Sequence, residues 1–323
     1  FWVDREQVSS FSYGTANSGL EGQTLTQIEV GEGNSLYLGG ENNTYKGTIS
    51  VTESAATGDM AIVGTYLPSA GTYDFENLTG SGDLLLQATN TSGETIFKFD
   101  GSDTGNWFAG RIYQSSNGGT VSLHISGAHW KNTVFDFTHS AGLSNSPVDT
   151  TGSSPQDINL VLTGDTSIKG LDQGDDAGDV LVENNIGSDY TLTLGTSDAN
   201  SDYSYGGRLA AGLNLIKVGS NCQTIVDNGS SSSLTDVRVL GGILDFDRDL
   251  SITKLVLQAG ELQTVDNTTV GSATLSAGST WNVGGNTALA ELQLNGLGTG
   301  KTVNLTGSGS LSISEAFVYN GTA

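Results

Sequence analysis

The sequence predicts an all-β fold, a parallel β-helix (solenoid), with a β-sandwich as the alternative. Three observations lead there. The stretches LNLIKVGSNCQTIV (213–226), VRVLGGILDFDRDL (237–250) and KLVLQAGELQTV (254–265) share one grammar. Two apolar residues flank one other residue, a Gly-containing turn follows, and a second apolar pair comes next. Second, no stretch holds the i, i+3, i+4, i+7 apolar spacing of a helix without a Gly interrupting it. Third, only 36% of residues are hydrophobic and 15% charged, with 46 Gly and 3 Pro. That composition suits a narrow apolar stripe wrapped in polar surface.

Taken in order, the strands are marked by apolar pairs of period two, which send one set of side chains inward and the intervening set outward. Leu36/Leu38, Ile49/Val51, Leu84/Leu86, Phe97/Phe99, Val121/Leu123, Leu160/Leu162, Leu192/Leu194 and Leu213/Leu215 are the pairs of the first two thirds. Val237/Val239, Leu244/Phe246, Leu255/Leu257, Trp281/Val283, Leu292/Leu294, Val303/Leu305 and Leu311/Ile313 continue the series. A sandwich and a solenoid both allow such spacing. The similarity of the segments, the scarcity of hairpin dipeptides and the recurring Gly241-Gly242 and Gly284-Gly285 turns favour stacking. Residues 1–35 are less regular and read as an N-terminal cap or irregular first coil. Residues 36–323 read as the β-helix, with a loop excursion at 139–156, where Pro147 and Pro155 fall.

The net charge of −23, from 12 Lys+Arg against 35 Asp+Glu, repels nucleic acid and anionic membrane surfaces. No apolar run reaches the length of a membrane-spanning helix, so this segment is not expected to insert. A single cysteine, Cys222, excludes an intrachain disulfide. The chain begins Phe1-Trp2-Val3, without Met or a signal segment, and reads as part of something longer.

These residues resemble the autotransporter-associated β-strand repeat of bacterial surface-protein passengers. Its pattern runs approximately Leu-x-Lys-x-Gly-x-Gly-x-x-x-Leu, then Asn-x-x-x-Gly, then a Gly-Gly-x-Leu turn and strand. Leu215-Ile216-Lys217-Val218-Gly219 opens such a unit, Ile225-Val226-Asp227-Asn228 follows, and Gly241-Gly242-Ile243-Leu244 closes it. Cys222 departs from the pattern. A second signature of related passengers, Gly-x-Asn-x-x-Phe/Tyr-x-Gly-x-Ile, is similar to Gly40–Ile49 and to Gly105–Ile112. The resemblance implies a right-handed parallel β-helix, export from a Gram-negative cell, and display at the cell surface or secretion. The expected function is a non-catalytic passenger or stalk with adhesin-like binding of host glycans or glycoproteins. A carbohydrate-active enzyme on a β-helix, or a pure spacer, is the alternative.

Candidate sites are few, and no catalytic residue is assigned. Asp172, Asp175, Asp176 and Asp179 form the densest acidic run, where carboxylates and Gly in a turn can wrap Ca²⁺. A solvated acidic turn is the plainer reading, and no other cofactor is expected. Trp107, Tyr113 and Trp130 lie in an aromatic-rich stretch and are the residues proposed to stack on sugars, Trp130 being the one expected to be exposed. Phe108, Phe135 and Phe137 there read as core. Asp245, Asp247 and Asp249 share one face by period two, and Arg248 on the opposite face is a conflict that a strand end would resolve. His124, His129 and His139 have no zinc spacing.

Overall fold

Apolar side chains at every second position make each segment two-faced, and stacking such segments covers the apolar face. The computed structural model describes residues 12–13, 27–33, 35–38, 43–53, 60–65, 70–89, 92–99, 108–116, 119–137, 158–172, 180–195, 201–227, 229, 231–299 and 301–320. Among these the chain is all-β, with one 3-10 turn at Ala128–Trp130. The pairings are parallel. No helix among the described residues is long and apolar enough to cross a membrane. The chain divides into two units, 1–163 with 177–181, and 164–176 with 182–323.

In the first unit, consecutive strands alternate between two sheets. One sheet takes Gln27–Gly31, Asn43–Thr52, Gly71–Gly80, Glu94–Phe99 and Thr120–Gly127 in that order. The other takes Ser12–Tyr13, Ser35–Leu38, Ala61–Thr65, Leu84–Ala88, Arg111–Ser116 and Val134–Asp136. Each strand therefore pairs with the strand two places on. Ser12–Tyr13 and Gln27–Gly31 already pair in this way, with Ser35–Leu38 and Asn43–Thr52. Residues 12–13 and 27–31, in the stretch expected as a cap or an irregular first coil, thus lie in the ladders.

Register carries like side chains into columns. Ala61, Leu84 and Ile112 are successive partners, and Phe135 follows Ile112. All four are buried. Tyr73 stacks on Phe97 with ring centroids 5.8 Å apart, and Phe75 on Phe99 at 5.1 Å. Such aromatic pairs add about 0.5–1.5 kcal/mol beyond their burial. In the second of these sheets Leu84, Leu85 and Leu86 are all fully buried, so both faces are covered.

The second unit repeats more regularly. One sheet takes Thr191–Leu194, Leu213–Lys217, Ser232–Val239, Leu250–Leu257, Thr268–Ser276, Asn286–Asn295 and Ser310–Asn320. The other takes Tyr203–Tyr205, Cys222–Ile225, Ile243–Phe246, Glu261–Thr264, Thr280–Val283 and Asn304–Thr306. Leu215, Val237, Leu255, Ala273 and Leu292 form one buried column, and Leu244, Leu262 and Trp281 another. Trp281 is fully buried, and its indole N–H donates to Thr264 Oγ1 at 3.3 Å. Over residues 191–295 the inward face alternates with a polar outward face, as the period-two pairs require, whereas Leu305 and Ile313, also expected inward, are 48% and 40% exposed.

Turns must also stack. Gly219 has φ +74°, and a Cβ there would lie 2.0 Å from the carbonyl oxygen of Gly195 in the preceding repeat. Only glycine fits that approach. On the turn face Asn267 Nδ2 donates to Asp249 Oδ1 at 3.1 Å, Asn286 Nδ2 to Asn267 Oδ1 at 3.5 Å, and Ser310 Oγ to Asn286 Oδ1 at 2.9 Å. These side chains form a hydrogen-bonded ladder across four repeats.

Arg248 resolves the conflict seen in the sequence. The strand Ile243–Phe246 ends before it, and the guanidinium turns inward, 1% exposed. Nη1 donates to the carbonyl of Gly207 at 3.0 Å and Nη2 to that of Val226. Gln223, another polar residue in the interior, bonds Leu171 through both its amide nitrogen and its oxygen, at 2.9 and 3.1 Å. Its side chain takes the place of a strand neighbour.

Candidate functional site

A group of charged and polar side chains joined by hydrogen bonds lies in the first unit, at the leading edge of the Arg111–Ser116 strand. Register places Leu84 beside Ile112 and Val134 beside Arg111, so the residues that open these three strands meet. The backbone N–H of Arg111 donates to Asp83 Oδ1 at 3.1 Å. Tyr113, two residues on and on the same face, donates its hydroxyl to Asp83 Oδ2 at 3.3 Å. The Arg111 guanidinium reaches the next strand and pairs with Asp136 through Nη1 and Oδ2. From the opposite side, Glu32 Oε1 accepts the backbone N–H of Asp83 at 2.8 Å.

Electrostatics follow from this half-buried setting. Burial raises the Asp83 carboxyl above the ordinary carboxylate range, and the neighbouring charge of Glu32 adds to it. The Arg111 N–H and the Tyr113 hydroxyl pull the other way. Burial also pushes the Tyr113 phenol up, with the Asp83 and Asp136 charges adding. The Asp136 side chain is 6% exposed while that of Arg111 is 36% exposed. The group therefore offers solvent one oriented guanidinium edge backed by carboxylates and a tyrosine. Such a surface can hydrogen-bond the hydroxyls of a sugar or a polar peptide group.

The aromatic residues picked from sequence fall differently. Trp130 is 3% exposed, which corrects the expectation that it stands free for contact. It closes the 3-10 turn and packs edge-on against Phe99 at 5.7 Å and against Phe135 at 5.8 Å. Its flanking His129 and Lys131 suggest exposure, but the turn carries the indole into the core. Tyr113 is also largely buried, yet its hydroxyl belongs to the polar group just described. Trp107 lies outside the described residues. Phe108, Phe135 and Phe137 are core, as their spacing predicts.

Of the acidic run, Asp172 ends the strand Gly170–Asp172, and Asp175, Asp176 and Asp179 lie outside the described residues. Among the described residues no group of three or more His, Cys, Asp and Glu is arranged to hold a metal ion. His124 sits on the strand Thr120–Gly127, His129 in the 3-10 turn, and His139 outside the described residues. Asp245, Asp247 and Asp249 are partly or fully exposed on the outward side, as period two predicts. Cys222 opens a strand and lies 3.6 Å from Thr224 Oγ1. Burial raises its thiol, which works against thiolate chemistry.

Sequence reasoning missed Glu32, Asp83 and Arg111 as partners, because they meet only through register across repeats 25–51 residues apart. The one local signal was polar residues at the mouths of strands that otherwise read as core. No protein family, curated protein or solved structure matches this chain.

Proposed function

We propose that this chain is a right-handed parallel β-helix, the extracellular passenger or stalk of a bacterial autotransporter-like surface protein. In this reading it binds host glycans or glycoproteins and does not cleave them. The carrying observation is the two-strand repeat. Within each unit strands alternate between sheets, and each pairs in parallel with the strand two places on. That is how a solenoid coil returns on itself. Such a fold commits its inward residues to stacking and leaves function to its lateral surface. The Asp83–Arg111–Tyr113–Asp136 group is the lateral contact assigned here, since it holds a guanidinium in place at the surface. The net charge of −23 favours neutral or cationic partners over nucleic acid.

One observation favours cleavage of polysaccharide as a second reading. A carboxyl raised by burial, as Asp83 is, beside further carboxylates is what a general acid needs. One experiment separates the readings. The purified chain is incubated with mucin and a polysaccharide panel, and retention and released sugar are measured in the same samples. Retention without release is expected, weakened several-fold by Arg111→Ala. Released sugar that disappears with Asp83→Asn would establish the enzyme. Neither retention nor release would leave a spacer.

A further inference from the structure

Two residues of one repeat break the pattern of their neighbours, and they break it together. Lys217 occupies an inward column whose register partners are Leu194 on one side and Val239 on the other, with Leu257 and Leu275 beyond. It is the one charged side chain in that row and is fully buried. Cys222 pairs with Ile243 and Ile243 with Glu261, so the residues just before them, Asn221, Gly242 and Gly260, align. Asn221 is thus a carboxamide where the next two repeats carry glycine, and it is 4% exposed.

The two side chains meet. Lys217 Nζ donates to Asn221 Oδ1 at 2.9 Å and to the carbonyl of Val218 at 2.6 Å. Asn221 Nδ2 donates to the carbonyl of Ser201 at 3.1 Å, which fixes the plane of the amide. Glycines wall the site. A Cβ at Gly195 would come within 2.8 Å of Nζ and 2.7 Å of Oδ1, and one at Gly242 within 2.7 Å of Nζ. Burial lowers the amine to about 8, so near neutral pH part of it carries a free lone pair. Burying an ammonium in an aliphatic row is costly, and a hydrogen-bonded partner offsets only part of that cost.

We propose that Lys217 and Asn221 condense in the folded chain to form an intramolecular isopeptide bond. Nζ of the neutral amine, held 2.9 Å from Oδ1, turns its lone pair to attack Cγ of Asn221. The Nζ–Cγ bond forms and the Cγ–Nδ2 bond breaks. The departing nitrogen leaves as ammonia, taking a proton released by the attacking amine. Nothing is oxidised or reduced, and no co-reactant is needed. Asp202, which accepts the N–H of Cys222 at 2.7 Å, is the nearby carboxylate whose charge bears on Lys217. The product is a neutral amide. It replaces a buried charge and ties the end of one strand to the turn that follows.

The test is the intact mass of the purified, folded chain followed by fragment mapping. The expected result is a mass lower by one ammonia, mapped to a link between residues 217 and 221, with no tryptic cleavage after Lys217. Asn221→Gly adopts the residue of the next two repeats, so the turn can accept it; this variant is expected to show its full calculated mass and to be cleaved after residue 217. A full mass for the parent chain overturns the proposal. So does a loss of ammonia mapped elsewhere, such as a succinimide at Asn228-Gly229.

Discussion

Arg248 shows how a charged residue becomes structural. Its planar fork reaches two backbone carbonyls in earlier repeats, at Gly207 and Val226, and no solvent competes for them. A lysine has the charge but not the fork. Arg248→Lys is therefore expected to lower stability by about 1–3 kcal/mol, read as a shift in denaturant midpoint. Asp83 gives the opposite kind of residue, one whose charge the fold penalises. Its folded pKa is raised above 3.8, so the folded chain holds the proton more tightly than the unfolded one. The group favours folding most below the ordinary value, and this contribution is lost as pH rises through the folded value. Asp83→Asn keeps an oxygen for the Arg111 N–H and removes the charge. Its stability at pH 7 is expected to match or exceed that of the parent, within about 1 kcal/mol. The advantage of the variant should shrink as denaturation is followed toward pH 3. A constant difference across that range would remove the titration argument.

Elements differ in how much of each was legible in the sequence. In the second unit the pairs Leu244/Phe246, Leu255/Leu257 and Trp281/Val283 mark real strands and their inward faces, because each sheet there has one apolar face and one polar face. In the first unit the pair Leu84/Leu86 is inward too, but Leu85 between them is just as buried. Alternation cannot report a sheet covered on both sides. Trp130 was misjudged for a related reason. A three-residue turn has no periodicity to read, so the direction of its indole is set by Phe135 in the next strand and by Phe99, 31 residues earlier. The polar group around Asp83 was hidden by register, since nothing local says which repeat meets which.

Burial also changes along a single column. Leu292 is 2% exposed, while its register partner Phe317, on the strand Ser310–Asn320, is 59% exposed. Leu292→Ala is expected to cost about 2–5 kcal/mol and Phe317→Ala less than about 1. Thermal unfolding of the two variants side by side decides the point, and equal losses would contradict the assigned faces.

At the scale of the molecule, the proposed function rests on what stacking leaves over. Among the described residues inward columns fill with Leu, Val, Phe and Trp and glycines sit where turns approach, while the sequence carries 35 Asp+Glu against 12 Lys+Arg. Binding along a lateral surface fits that division better than catalysis, which needs several groups converging on one bond. All of this depends on the parallel repeat. Distances between spin labels on an exposed outward column test it directly. Ser233, Ser251, Thr269, Ala288 and Ser312 are successive partners on the outward face. With Cys222 replaced by Ser, labels at 233 and 312 should report backbone positions about 19 Å apart, four strand spacings of about 4.8 Å, with a shorter separation for 233 and 288. A separation that does not grow step by step along the column, as in a sandwich with antiparallel order, would contradict the stacked repeat.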